Sequence, residues 1–419
     1  MSVKYNKSVG GLNKLCLCFI LYNEEASIEQ AIKAFHYEGT PIYDILMVGI
    51  DKKTNDNTYE IVNQFCPDEN IIWFDFNDDF AGSRNIVLRE VEKLKDIEWI
   101  FMPDGHEVLR HESVEAVKSM VDTVDEKIHL ISPYVDLDVD ENDIPNISFF
   151  RPMMLRNHKG IFFERKVHNY LDAPVENKAY APEIRLIHNM EHKRREMRAK
   201  QRKDMNTKEL SKNAETGDIR DMFFLGNTYS EQGLYEKAIV EYEKCLLEIH
   251  DTDRDMAAEV SIMCAQCYLA LEKWLELKMK CLHAINNRWD RAEPYFFLGV
   301  ASVSVGRNEY EKGSNERKLM LTQAVHWFNV SAGMEKPTTI YFLQGKHYTW
   351  YPYDALCDVL TELGRYEEAL EAGKKVLEYK KNDKLALKNV EELERFINKG
   401  ESEIKKEVVS INNADPFSI

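Results

Sequence analysis

Apolar residues fall into two textures along this chain. Up to about residue 190, short continuous apolar runs alternate with segments of helical period. Lys14–Tyr22 is the first run, and in Ser27–Phe35 the apolar residues Ile28, Ala31, Ile32 and Phe35 share one helical face. Asp44–Ile50, Asn70–Phe74 and Trp99–Met102 repeat the run, with helices predicted over Tyr59–Phe65 and Ala81–Leu94. Continuous apolar strands alternating with helices predict a mostly parallel sheet covered on both faces. Ligands of such sheets bind at the carboxyl ends of the strands, where the polar turns of this chain are concentrated. The run Leu15–Leu21 leads straight into acidic residues with no small-residue cleavage site, which reads as a first strand and not a signal peptide.

Beyond residue 190 the β-like runs largely stop. The segment 191–212 carries nine basic residues against four acidic ones and reads as a basic linker helix. Further on, Leu225, Gly226, Tyr229, Gly233, Tyr235, Ala238, Tyr242 and Cys245 set a pattern. Ala265, Tyr268, Trp274, Cys281 and Ala284 repeat it, as do Leu298 and Gly299. Ala265 and Gly299 lie 34 residues apart, the period of a tetratricopeptide repeat. A third unit is interrupted by the polar insert NEYEKGSNERK and resumes at Ala324, Phe328 and Ser331. A last one holds Leu356, Leu360, Gly364, Tyr366, Ala369 and Val376 in register. The expected organisation is an α/β domain over 1–190, the linker over 191–214, repeats over 215–400 and a flexible tail over 401–419.

Composition narrows the function. The 419 residues include 55 Lys and Arg against 72 Asp and Glu, a net charge of −17 that repels polyanions at long range. A nucleic-acid partner would need a local basic patch. The eight cysteines are scattered through apolar stretches without the spacing of a disulfide framework, which points to a reducing cytoplasm. Cys264-Ala-Gln-Cys267 has no second pair to complete a zinc site and reads as two small apolar helix residues. No run approaches the roughly 18 apolar residues of a membrane-spanning helix.

Five polar clusters follow the predicted strands: Tyr22-Asn23-Glu24-Glu25, Asp51 with the turn ending Asp56-Asn57-Thr58, Asp78-Asp79-Phe80-Ala81-Gly82-Ser83-Arg84-Asn85, Asp104-Gly105-His106-Glu107, and Arg151 to His168. In that order they resemble the motifs of family-2 glycosyltransferases of the nucleotide-sugar-binding GT-A (Rossmann-like) fold. The branch most resembled carries tetratricopeptide repeats after the catalytic domain and includes the sublancin-type S-glycosyltransferases. The resemblance implies transfer of a sugar from a nucleotide-diphosphate sugar to a macromolecular acceptor, by direct displacement with inversion. It implies that Asn23, Glu24, Asp51 and Arg84 hold the nucleotide. It further implies that Asp104, His106 and His168 hold a divalent cation.

Family members usually have Asp-x-Asp where this chain has Asp104-Gly105-His106. An imidazole ligand tilts the expectation from Mg²⁺ toward Mn²⁺, and Asp-x-His also serves the polypeptide N-acetylgalactosaminyltransferases. The acidic residue that normally follows the last His is Asn169 here, which leaves Glu107 and Glu164 as candidates for the general base. Three acceptor readings stay open: a peptide or protein side chain, hydroxymethylated DNA bases gripped by the basic linker, and a cell-surface glycan or lipid. A fourth reading is a non-catalytic scaffold with a decayed transferase fold.

Overall fold

The computed structural model describes residues 14–141, 143–188, 207–215, 217–250 and 252–399. These divide into two compact units, one within Met1–Asp138 and Ser148–Glu209, the other within Val139–Ile147 and Leu210–Ile419.

The first unit is a mixed sheet with helices. Its parallel part is built from β1 (Leu15–Leu21), β4 (Ile45–Asp51), β5 (Ile71–Phe74) and β6 (Trp99–Phe101). A small hairpin of β2 (His36–Tyr37) and β3 (Thr40–Pro41) lies outside that sheet. Strand β1 pairs in parallel with β4 on one side and β6 on the other, and β4 pairs with β5. Strands β1 and β4 are almost wholly apolar because both of their faces are covered. On one face Phe19, Leu17, Ile28, Ile32, Phe35 and Phe101 pack together; on the other Cys16, Cys18, Val87, Leu88 and Val91 do. The covering helices are α1 (Ile28–Lys33), α2 (Thr58–Val62), α3 (Phe80–Val91) and α4 (Val114–Thr123).

The remainder of the sheet departs from the parallel expectation. Strand β10 (Met154–Arg156) runs antiparallel to β6 and to β8 (Leu130–Val139), and β9 (Pro145–Phe150) lies next to β8. The long strand β11 (Lys178–His188) is parallel to β8 and antiparallel to β7 (Glu107–Leu109), with an irregularity between Ala181 and Arg185. This antiparallel addition delivers Arg151 beside the end of β6.

The second unit is all-helical apart from short pieces. Of the predicted basic linker, the end forms α5, whose described residues are 207–214; residues 191–206 lie outside the described residues, as does the predicted tail. Helices then pair in sequence: α6 (Ile219–Glu231) with α7 (Tyr235–Glu248), α8 (Arg254–Ala270) with α9 (Trp274–Asn287), and α10 (Ala292–Glu309) with α11 (Asn315–Ala332). They continue with α12 (Tyr351–Glu362) on α13 (Tyr366–Tyr379), and α14 (Lys384–Lys399) follows. The repeat pattern is physical. A Cβ on Gly226 would meet the Tyr242 ring at 2.5 Å, and one on Gly299 the Phe328 ring at 2.4 Å. The glycine in the first helix of a pair therefore makes room for the aromatic in the second. The polar insert after α10 does not break the third pair; much of it is absorbed into α10 and α11, each 18 residues long. Cys264 and Cys267 are buried in α8, and burial pushes the Cys264 thiol up to about 12.

Candidate active site

The polar turns meet at the carboxyl ends of β1, β4 and β6. After β1, the Asn23 backbone is left-handed (φ 50°) and its Oδ1 accepts the Asn55 N–H at 2.9 Å. Thr58 Oγ1 accepts the Glu24 N–H at 2.7 Å, and Glu25 accepts both the backbone and the side-chain N–H of Asn57. The Asn-Glu-Glu turn is thus stitched to the turn that follows Asp51. Asp51 itself is buried as the last residue of β4 and accepts the Lys53 N–H at 3.1 Å.

Glu24, assigned to the nucleotide by the sequence resemblance, lies inside the turn. Its side chain is buried, accepts the Ser27 hydroxyl at 2.8 Å, and lies 3.6 Å from Nδ1 of His106. It packs under Gly105, where an added Cβ would come within 2.5 Å of Leu21 and 3.2 Å of Glu24. Glu24 therefore supports the Asp104-Gly105-His106 turn from below.

That turn carries the densest charge of the unit. Asp79 N-caps α3 by accepting the Gly82 N–H at 2.8 Å, which sets the first turn of the helix and aims Arg84 inward. Arg84 donates to Oδ1 of Asp104 at 2.6 Å and to Asn169 at 3.2 Å, with its guanidinium over the Phe163 ring. Arg151 donates to Oδ2 of Asp104 at 3.0 Å and pairs with Glu107. The Asp104 N–H donates to the same Glu107 carboxylate at 2.8 Å. Burial alone would raise the carboxyl of Asp104, but Arg151 and Arg84 together hold it well below the usual range. Glu107 is likewise lowered: burial raises it, and Arg151 with His188 outweighs that.

His106 is buried with both ring nitrogens lacking a hydrogen-bond partner, edge-on to His188 at 4.3 Å between ring centroids. His168 lies on the 161–170 segment with a left-handed backbone (φ 46°), next to the Asn169 that Arg84 engages. Among the described residues, no three His, Cys, Asp or Glu side chains converge as a metal site. The structure joins Arg84 and Asp104 directly and brings His106 to the same turn.

The two base candidates differ. Glu107 is fully enclosed between Arg151, His188 and the Asp104 backbone, which suits it to hold the turn and not to take a proton from an acceptor. Glu164 lies on the 161–170 segment, where its carboxylate accepts the Tyr170 hydroxyl at 3.0 Å. Arg151 was visible in the sequence only as a motif match; its pairing with Asp104 crosses 47 positions and emerges only when β9 and β10 are in place.

Residues 16–181 match the family model described as Glycosyl transferase family 2. Among curated proteins, none matches the chain. Solved structures similar to parts of it include the MamA protein, at 19% identity over 44% of this chain and 87% of that one, with a TM-score of 0.34. YrrB, described as a TPR protein with an unusual peptide-binding site, is 18% identical over 49% of this chain and 88% of its own, with a TM-score of 0.32. The charged cluster at the strand ends lies within the matched segment: residues 16–181 form a family 2 glycosyltransferase domain, and the chain is a glycosyltransferase.

Proposed function

We propose that this enzyme transfers a sugar from a nucleotide-diphosphate donor to a peptide or protein side chain, with inversion and with a divalent cation, as in the sublancin-type branch. The observation that carries the reading is the meeting of Arg84, Asp104 and Arg151 at the carboxyl end of β6, inside the family-2 segment.

Glycosyltransferases of this family generally use a nucleotide sugar and a divalent cation. The residues fit a cation in part. His106 offers two buried nitrogens that no hydrogen bond occupies, and Asp104 presents a carboxylate that is 22% exposed. Asp104 and His106 would hold the ion, with His168 the third residue of the proposed set; a two-plus charge there neutralises the departing diphosphate. Nitrogen ligation favours Mn²⁺ over Mg²⁺.

The chain's own residues do the rest. Asn23 and Asp51 border the nucleotide side of the site, and Arg84 at the start of α3 faces the phosphates, aided by the helix N-terminus. The bond between the anomeric carbon and the diphosphate oxygen breaks as the acceptor atom attacks the opposite face, and the leaving nucleotide keeps the electron pair. We assign the acceptor's proton to Glu164, the exposed member of the two base candidates. The polypeptide reading draws on the −17 net charge, which disfavours a polyanion, and on the extended grooves that stacked helix pairs build. A cytoplasmic location draws on the eight cysteines, all buried and unbridged. No helix among the described residues is long and apolar enough to cross a membrane.

The test incubates the full chain with UDP-, GDP- and dTDP-sugars, Mn²⁺ or Mg²⁺, a peptide pool and hydroxymethylated DNA, at two salt concentrations. Sugar mass should appear on peptide, more with Mn²⁺, with little salt effect, and chelator should stop it. Activity indifferent to chelator would remove the cation. Modified DNA with a steep fall in salt would replace the acceptor, since each phosphate contact releases counterion.

A further inference from the structure

Arg151 belongs to no motif role that the sequence assigns, yet it occupies the same position with respect to Asp104 as Arg84 does. The two guanidiniums come from different elements. Arg84 comes from the first turn of α3, and Arg151 from the turn between β9 and β10, where its N–H donates to the Pro133 carbonyl at 3.0 Å. Each takes one oxygen of the Asp104 carboxylate, at 2.6 and 3.0 Å. Neither arginine is sealed: their side chains are 14% and 29% exposed. Arg84 and Arg151 balance Asp104 and Glu107, and the buried Glu24 carboxylate lies close behind at His106, so an incoming diphosphate needs the counter-ion it brings.

A guanidinium that shares one carboxylate with a second guanidinium has N–H donors left over. Arg forms paired hydrogen bonds to phosphate as readily as to carboxylate, and two such forks set around one point fit a group with two linked phosphates better than one phosphate. Resting on the nucleotide-sugar reading above, we propose that Arg151 is a second diphosphate-binding residue. Asp104 and Glu107 hold it beside Arg84 until the donor arrives. The two arginines then grip the diphosphate, and Glu107, fully buried and hydrogen-bonded to the Asp104 backbone, keeps Arg151 aimed.

Calorimetric titration of the full chain with UDP, GDP and dTDP, each against its monophosphate, tests this without any turnover. The nucleotide that binds best should lose about tenfold or more of its diphosphate affinity in Arg151→Ala, while its monophosphate affinity stays within about twofold. Arg151→Lys, which keeps one charge but not the fork, should fall between. Because Arg151→Ala leaves Glu107 buried without its partner, the double variant Arg151→Gln/Glu107→Gln repeats the measurement with both charges removed. Equal losses for mono- and diphosphate, or no loss in either Arg151 variant with wild-type binding intact, would overturn the role of Arg151 alone. Absence of binding for every nucleotide by the wild-type chain would overturn the nucleotide-sugar reading itself, and this inference with it.

Discussion

Each unit of the molecule holds a cluster of arginine and carboxylate, and the two differ in what surrounds them. In the helical unit, Arg291 joins Glu259 at 2.9 Å and Glu293 at 3.1 Å, and all three are at most 1% exposed. Further protein groups close the cluster: Arg291 also donates to the Phe342 carbonyl, and Glu293 accepts from Tyr348 and from the Gln344 N–H. In the sheet unit, Arg84, Asp104 and Arg151 are paired just as closely, but they sit at strand ends and keep a share of solvent. A closed cluster can only fasten segments together, here α8, α10 and the 333–350 connection. An open one can exchange a protein partner for a ligand. The same chemistry thus serves packing in one unit and donor handling in the other.

Opening the closed cluster has the largest expected effect on stability. Arg291→Leu strands two buried carboxylates and should cost about 3–5 kcal/mol, read as a drop of roughly 10 °C in the transition of the helical unit. Neutralising the carboxylates as well, in Arg291→Leu/Glu259→Gln/Glu293→Gln, should recover much of it. A small effect for the single variant would erase the distinction drawn here.

Next is acid sensitivity around the same connection. His347 is buried against Phe296 and Tyr351, and burial lowers its pKa to about 3. The unfolded chain takes up a proton below about pH 6.5 that the folded chain refuses until about pH 3, so this contribution is complete above 6.5 and is lost as pH falls. Glu259 works in the opposite sense: burial raises it to about 7, so its contribution is greatest below about pH 4.5 and is lost as pH rises to 7. Comparing urea denaturation of the wild type with His347→Phe separates them. The variant's relative stability should improve by a few kcal/mol between pH 6.5 and pH 4; parallel curves would contradict the assignment. The smallest effect is steric. Gly299→Ala should cost about 1–3 kcal/mol by pushing on the Phe328 ring, and pairing it with Phe328→Leu should return part of that.

What the sequence made legible follows the same division. Strands β1, β4 and β6 announce themselves as continuous apolar runs, because a strand buried on both faces must be apolar throughout; β5 reads the same way although its Trp73 is exposed. The repeat glycines and aromatics were legible because each pair is a local steric fit within one helical hairpin. Strands β8, β9 and β11 were not, since Pro133, Pro145 and Pro182 interrupt them and their polar residues, such as Asp136, are paired inside. The site was legible as to which turns matter, and not as to who meets whom. Burial of Glu24 runs against its polarity and makes sense only once Gly105 and His106 cover it. The partner that Arg151 finds depends on antiparallel strands that the pattern does not show.

The most direct test of the open cluster is turnover by Asp104→Asn. With the full chain, hydrolysis of the preferred UDP-, GDP- or dTDP-sugar should fall at least about a hundredfold. The melting temperature should stay within a few degrees, because water reaches the arginines that Asp104 releases. Undiminished turnover, or a variant that unfolds as Arg291→Leu is expected to, would make the strand-end cluster another fastening and contradict the account.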